Sequence, residues 1–472
     1  MTANWHAGSA GNELHRSVKL ALDSGEVASV AEAQTLFEQY RLCISVGPDV
    51  ARSPTKQAAL LTMVNTARRC FLGGVTVAGQ LDVELLIPWR HCRSVAEAVC
   101  DLQGTWVETL PRGNPLIVVG DGVEYESAFA VRASFDGWRG GVLPLTENSR
   151  LNERHEFAPA GVLAGALAVS EAFQFVRGSN VQAGRRAVGL SLWQPEVKDW
   201  RSDNASEPEL TLLPARLWLI GLGHLGQAYL WTLGLLPYSD PTAVQLVLQD
   251  FDTLVPANDS TSPLTKAGLV GQKKTRALAA WCEQRGFTTR LNERRFAANF
   301  RVAADEPLVA LCGVDNEAAR AVLEDIGFAQ IIEAGLGRGT EEYLSYQMHC
   351  FPSSRSARQR WGSATTAQAD SILEQRPAYQ TLAAEGLDKC GLTLLANRAV
   401  GASFVGTFTA TLVIAELLRL AMGAHRYEVI DGSLRSPDHS QAVSSSLALE
   451  PFNPGLTRAA SNMVIPTGSL SA

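Results

Sequence analysis

The chain has 472 residues, room for about three domains or two large ones, and ample length to bury real cores. Its 41 basic and 48 acidic side chains leave a net charge of −7, so nucleic acid is not the expected main partner, because a phosphate-binding surface carries a basic excess or Lys/Arg blocks. Eight scattered cysteines without a Cys-x-x-Cys pair fit a reducing compartment and exclude a four-thiolate zinc site.

The N-terminus has no apolar stretch behind a basic start, so no secretory signal is expected and the chain is placed in the cytoplasm. A first apolar strand, RLCISVG, ends at Gly47 and opens the loop Gly47-Pro48-Asp49-Val50-Ala51-Arg52. The segment from Pro115 has the shape of a strand, a Gly-x-Asp-type turn, an amphipathic helix and a second strand, and a helix of small residues follows from Ala158. The polar stretch Val197 to Leu210 reads as a linker.

Beyond it the same order returns. The strand RLWLIGLG leads into Gly221-Leu222-Gly223-His224-Leu225-Gly226, a glycine loop that lets backbone approach a phosphate at a helix N-terminus. The strand VQLVLQDFD ends in Asp250 and Asp252, where a carboxylate accepts from ribose hydroxyls. To this point NAD and ATP fit equally. Asn258 and then Lys274, behind Val-Gly-Gln-Lys, favour ATP, since nucleotidyl transfer needs a cation beside the phosphates and a dinucleotide oxidoreductase has no standard use for one there.

A second unit from Pro307 mirrors the one from Pro115 and puts Asp315 at a strand C-terminus, where one carboxylate suits a hydrated magnesium ion bridging phosphates. About 49 extra residues then separate roughly Gly335 from Val400, and Cys390 lies among them. The stretch Ala399 to Ala415 nears membrane-span length but is rich in Gly, Ser and Thr and runs into Glu416 and Arg419, so a buried helix is expected and no membrane partner. The tail after Ser433 is expected to form an edge strand or to be mobile.

The stretches GLGHLG, LVLQDFDTLVPAN, VGQKKT, CGVDNEAAR with EAGLGRG, and VGASFVGTFTATLVIAEL resemble the ThiF/MoeB/E1-like family, whose members adenylate the C-terminal glycine of ubiquitin-like or sulfur-carrier proteins. The resemblance implies an α/β fold, two Rossmann-like adenylation folds in one chain forming a pseudo-dimer. Residues 1–196 would be an inactive half, 197–210 the linker, 211–434 the active half with an inserted segment 338–390, and 435–472 a tail. It also implies ATP and Mg as cofactors, with Gly221, Gly223 and Gly226 near the phosphates, Asp250 on the ribose, Asn258 and Lys274 on the phosphates, and Asp315 on magnesium. Arg16, in HRSVKLALDSG, matches more weakly the arginine that the partner fold supplies.

Two departures stand out. The arginine common three positions after Asn258 is Thr261 here, leaving Lys266 and Lys273 as nearby substitutes, and the paired-cysteine knuckles are absent, so no structural zinc is expected. The Gly47 loop is degenerate, since Pro48 lacks an N–H and side chains obstruct close phosphate approach, so the first half is expected to bind no nucleotide.

Cys390 occupies a position similar to that of the acceptor thiol in single-chain relatives, which take the acyl group from the adenylate as a thioester. The reading is then an activating enzyme for a ubiquitin-like or β-grasp protein with an E2-like acceptor, a two-fold design shared with Bil-type antiphage conjugation systems. The alternatives are sulfur-carrier adenylylation, an NAD- or FAD-dependent oxidoreductase indifferent to Lys274, and a non-catalytic scaffold suggested by Thr261. His224 reads as a tolerated loop position, Cys312 as a core residue, and Met348-His349-Cys350 lacks metal-site spacing.

Overall fold

The apolar runs at 42–46 and 216–220 become central strands of two separate sheets, as expected of strands covered on both faces. The computed structural model describes residues 10–89, 91–202, 207–362, 375–447 and 452–460. Parts of the linker (203–206), of the inserted segment (363–374) and of the tail (448–451 and 461–472) lie outside the described residues.

The first half runs through α1 (Ala10–Glu13), α2 (Arg16–Ser24), α3 (Val30–Glu38), β1 (Leu42–Val46), α4 (Pro54–Ala67), β2 (Val75–Gly79), α5 (Val95–Asp101), β3 (Thr105–Val107), β4 (Leu116–Val119), β5 (Ala130–Asp136), β6 (Arg139–Pro144), α6 (Ala158–Val176) and β7 (Val188–Ser191). Its sheet has the order β3-β2-β1-β4-β5-β6-β7, parallel as far as β5 and antiparallel beyond.

The second half contains β8 (Leu212–Pro214), β9 (Arg216–Ile220), α7 (His224–Leu233), β10 (Gln245–Gln249), α8 (Pro256–Asp259), α9 (Lys274–Glu283), β11 (Thr288–Asn292), β12 (Val309–Cys312), α10 (Glu317–Ala321), β13 (Gln330–Leu336) and β14 (Ser345–Phe351). It continues with α11 (Ala357–Trp361), α12 (Pro377–Ala384), α13 (Lys389–Ala396), α14 (Ser403–Ala421), β15 (Tyr427–Ser433), β16 (Gln441–Ser444) and β17 (Leu456–Arg458). Its sheet has the order β11-β10-β9-β12-β13-β14-β15-β16. Strands β11 to β13 are parallel and the rest antiparallel, so the winding of the first sheet is repeated. In each sheet the strand order reverses beside the first strand, at β1/β4 and β9/β12, which opens a crevice at the C-terminal strand ends.

One expectation is corrected. The unit from Pro115 has no helix, because β4 crosses to β5 through residues 120–129 in a loop. The helical spacing was read across residues that form β5, and the local signal that prevails is Gly137-Trp138, a two-residue hairpin turn with Gly137 at φ +56° joining β5 to β6. In the second half the corresponding helix, α10, is only five residues long. The edge strand expected beyond Ser433 is present: β16 is the edge strand of the second sheet, and β17 pairs with β8.

The halves meet through α6 and α14 packed with α4 and α7, the Trp231 indole of α7 donating to Thr62 Oγ1 of α4 at 3.0 Å, and one apolar cluster runs through both. Close packing depends on small residues. A Cβ on Gly165 would lie 2.7 Å from the Ala59 carbonyl oxygen, and one on Gly406 would lie 2.3 Å from His224 Nε2. Both 19-residue helices are long and apolar enough to cross a membrane, with mean hydropathies of 1.4 and 1.6. Yet 89% and 94% of their apolar windows are buried at this seam, where core helices lie. The Glu416 and Arg419 charges near the end of α14 pair with each other inside it.

Candidate active site

Strand β9 ends at Ile220 and the chain turns at Gly221, whose φ of +81° suits glycine. A Cβ on Gly226 would sit 2.0 Å from the Gly221 carbonyl oxygen, so α7 can start this close to the strand only with glycine there. Gly223 differs: a Cβ would meet nothing within 4 Å. Its backbone faces open space, the one of the three loop glycines whose lack of a side chain this chain's own packing does not require. The loop is pinned by Asp250, 9% exposed, whose carboxylate accepts from Leu222 N at 2.7 Å and from Asp252 N at 2.9 Å.

Lys274 opens α9 with its side chain turned into the crevice, where Nζ lies 3.0 Å from Asp252 Oδ2 and 3.7 Å from Asp250 Oδ2. Asn258 sits on α8, and its Oδ1 accepts from Val255 N at 2.9 Å, which shapes the turn entering that helix. Asp315 lies exposed between β12 and α10, its carboxylate without a hydrogen bond among the described residues, while its carbonyl oxygen accepts from Arg338 Nη2 at 2.6 Å. An exposed, unengaged carboxylate at a strand end fits a cation that keeps most of its water. The three glycines, Asp250, Lys274, Asn258 and Asp315 all lie on the loops and helix starts that follow β9, β10 and β12.

The other half reaches into the same loops. The Arg16 backbone N–H donates to Ser260 Oγ at 3.0 Å, which brings the start of α2 beside the residues after Asn258. Arg68 pairs with Asp259 at 2.6 Å, and Arg69 donates to the carbonyl oxygens of Pro263 and Thr265 at 3.1 and 3.0 Å. Sequence reading missed both arginines because their partners lie far along the chain. Thr261 is buried at 7% exposure, and neither proposed substitute for an arginine there is free: Lys266 pairs with Asp101 at 2.7 Å, and Lys273 Nζ donates to the Phe251 carbonyl at 2.6 Å. Among the described residues one potential metal-donor group, His91, Cys92 and Asp101, lies at this seam, but the Trp89 indole donates to His91 Nε2 at 2.8 Å and Lys266 neutralises Asp101.

His224, read as a tolerated position, instead packs its ring against Gly406, and burial pushes its pKa down to about 4. A second missed group lies under the Asp315 loop. Arg320 donates to the Val314 carbonyl at 3.0 Å and pairs with Glu333 at 2.8 Å, and Glu333, fully buried on β13, also meets His349 Nδ1 at 2.9 Å.

Six of the eight cysteines are buried, and burial pushes Cys312 up to about 12. Cys390 and Cys100 are exposed, and only Cys390 belongs to the second half. It lies in the first turn of α13, whose cap, Asp388, accepts from Gly391 N at 2.7 Å. Helix α13 packs on α1, and α1 packs on α8, so the thiol-bearing helix stands one short helix away from Asn258.

The crevice of the first half is closed. The Asp49 carboxylate turns into its own loop and accepts from Asp121 N at 2.9 Å, and a Cβ on Gly47 or Gly120 would strike it at 2.4 or 2.3 Å. Lys56 holds it at 3.2 Å while also binding Glu153 at 2.9 Å. The anion in this crevice is part of the chain.

Family models for the BilD N-terminal and C-terminal domains match residues 41–192 and 213–424. A relative from Collimonas sp. (strain OK412), a bacterial E1-like protein BilD, is 44% identical over 447 residues, 94% of this chain and 96% of its own. Among solved structures, E. coli MccB with AMPCPP and MccA matches 67% of this chain and 95% of its own at 12% identity and a TM-score of 0.33. E. coli tRNA N6-threonylcarbamoyladenosine dehydratase, TcdA, matches 44% and 86% at 14% identity and a TM-score of 0.28, and neither likeness bears on the chemistry of the site. The two matched domains and the close relative along nearly the whole length give the same answer: this chain belongs to the BilD family of bacterial E1-like proteins.

Proposed function

We propose that the second half binds ATP and adenylates the C-terminus of a ubiquitin-like, β-grasp protein, and that Cys390 then takes the acyl group as a thioester for an E2-like protein. The observation that carries this reading is the open Gly223 backbone in a loop that Asp250 pins at Leu222 N, with Lys274 beside Asp250 and Asp252, in a chain whose other crevice holds its own carboxylate. Backbone N–H groups at the start of α7 would receive the phosphates. The substrate carboxylate forms a bond to the α-phosphorus as the bond to pyrophosphate breaks, and Lys274 stabilises the charge that develops there. Asp315 would hold a magnesium ion, which when bound neutralises phosphate charge. The Cys390 thiolate then attacks the acyl carbon and AMP leaves.

Cytoplasmic location and a part in antiviral conjugation belong to the same proposal. ATP–pyrophosphate exchange, dependent on a ubiquitin-like protein encoded beside this gene, is the test, and no exchange with any such protein overturns the reading. Cys390→Ala retains exchange and loses a thiol-sensitive covalent adduct. An adduct that persists in that variant removes Cys390 from the scheme.

A further inference from the structure

The crevice contains one arrangement of charge that its own groups do not satisfy. Arg16 Nη2 donates to the Gly11 carbonyl at 2.7 Å, but Nη1 is buried without a partner. Arg398 follows Asn397, the C-cap of α13. Its side chain runs along Gly11, where a Cβ would lie 3.5 Å from Cγ, and its Nη2 reaches Asn12 Oδ1 at 3.3 Å. The residues after it complete the junction: the Gly401 carbonyl accepts from Ser17 Oγ at 3.1 Å, and a Cβ on Gly401 would contact Thr261 at 3.3 Å.

Three segments far apart in the chain, 11–17, 260–261 and 398–401, therefore converge, and they bring two guanidinium groups, while the one carboxylate among them, Glu13, is exposed and pairs with neither. Neither forms an ion pair among the described residues. The carboxylate that faces Arg16, Asp23, is held by Lys19 and by the Tyr379 hydroxyl at 2.7 Å. Burial and then the neighbouring Arg398 charge lower the Arg16 pKa to about 10. Two neighbouring cations, one with a buried unmet N–H, are costly unless an anion joins them. Ser260 and Thr261 follow Asn258 after Asp259, whose carboxylate is already held by Arg68 and Arg69, so the pair stands at the α8 end of the nucleotide crevice.

We propose that Arg16 and Arg398 clamp the polyphosphate end of ATP, with Arg398 supplying the guanidinium that the Thr261 position lacks. The planar fork of arginine matches phosphate oxygens, and the pair acts on β- and γ-phosphates that AMP does not have. This inference rests on the adenylating reading for its ligand. It adds a residue that discriminates triphosphate from monophosphate, set just past the helix that bears Cys390.

The test is calorimetric titration of the full chain, wild type, Arg398→Ala and Arg398→Lys, with ATP, AMP and inorganic tripolyphosphate. Arg398→Ala weakens ATP and tripolyphosphate by about tenfold or more and AMP by less than about twofold, and Arg398→Lys recovers part of the loss. Equal weakening of ATP and AMP, or no change in either, overturns the clamp while leaving the adenylating reading intact. If tripolyphosphate binds through Arg398 but the wild type shows no ATP–pyrophosphate exchange, the clamp stands and the adenylating reading falls. A wild type that binds none of the three probes overturns both.

Discussion

The two crevices have the same strand winding and opposite contents. Behind β9 the loop leaves Gly223 facing open space and lets Asp250 hold the backbone from behind. Behind β1 the corresponding loop begins Gly-Pro and fills itself with Asp49, which Lys56 neutralises. The comparison teaches that losing a binding site takes little change of fold. One carboxylate where a phosphate would otherwise be received turns an anion-binding loop into a self-satisfied structural element, and the half so sealed is free to serve as a platform. Its residues Arg16, Arg68 and Arg69 reach across to the live loops of the other half.

The strongest test of that contrast is charge removal in each crevice. Lys274→Ala should lower the rate of ATP–pyrophosphate exchange by about 10²- to 10³-fold, the usual loss when a donor to a developing charge is deleted. Lys56→Ala should leave exchange unchanged in protein that remains folded, because its partners are Asp49 and Glu153. Exchange lost equally in both variants would end the division into a live and a sealed half.

Next in size is Gly226→Ala. Its Cβ would lie 2.0 Å from the Gly221 carbonyl oxygen, so backbone must move, costing about 1–3 kcal/mol in chemical denaturation and removing ATP binding. Asp49→Ala should cost less, about 1 kcal/mol or below, because the exposed Asp121 N–H exchanges its acceptor for water, and should still create no ATP site, because Pro48 has no N–H to offer. ATP binding gained at the first half, detected as a second site by equilibrium dialysis, would contradict this.

Gly223→Ala sharpens the comparison further. With nothing within 4 Å, the added methyl should change stability by less than about 0.5 kcal/mol yet weaken ATP by about tenfold, since only the ligand competes for that space. A variant with wild-type ATP affinity would remove the nucleotide from the Gly223 face.

The smallest effect is on pH. Burial is the main cause holding His15 and His224 down to about 4, below their ordinary 6.5, so both fold as neutral rings. The unfolded chain binds protons that the folded one refuses, so stability is full above about pH 6.5 and falls as pH drops toward 4. Each contributes a loss of about 1 kcal/mol or less between pH 7.5 and 6. Thermal melts across that range should fall for the wild type and less steeply for His224→Asn.

Much of the architecture was legible because it is locally encoded. The apolar runs of β1, β4, β9, β10 and β12, the glycine loop, and α6 and α14 follow from periodicity and small-residue content. Asp250, Asn258, Lys274 and Asp315 follow from their places after strands that share one sheet edge. The helix expected after β4 failed because a two-residue turn, Gly137-Trp138, overrides periodicity. Lys266 and Lys273 failed as substitutes for an arginine because each has a closer acceptor, Asp101 or the Phe251 carbonyl.

What the sequence determined by itself is therefore the pair of repeated folds, which half carries the glycine-rich loop, and the place of Cys390 in the longer half, since each depends on residues within a few turns of one another. The tertiary structure decided the rest: that Asp49 seals the first crevice, that Arg68 and Arg69 hold the live loops, that His224 lies under Gly406, and that Arg16 and Arg398 stand together. Those contacts join residues tens to hundreds of positions apart. The Asp49 contact is set by the pairing of β1 with β4 and the others by packing at the seam of the two halves around α6 and α14, and no local spacing of residues encodes either approach.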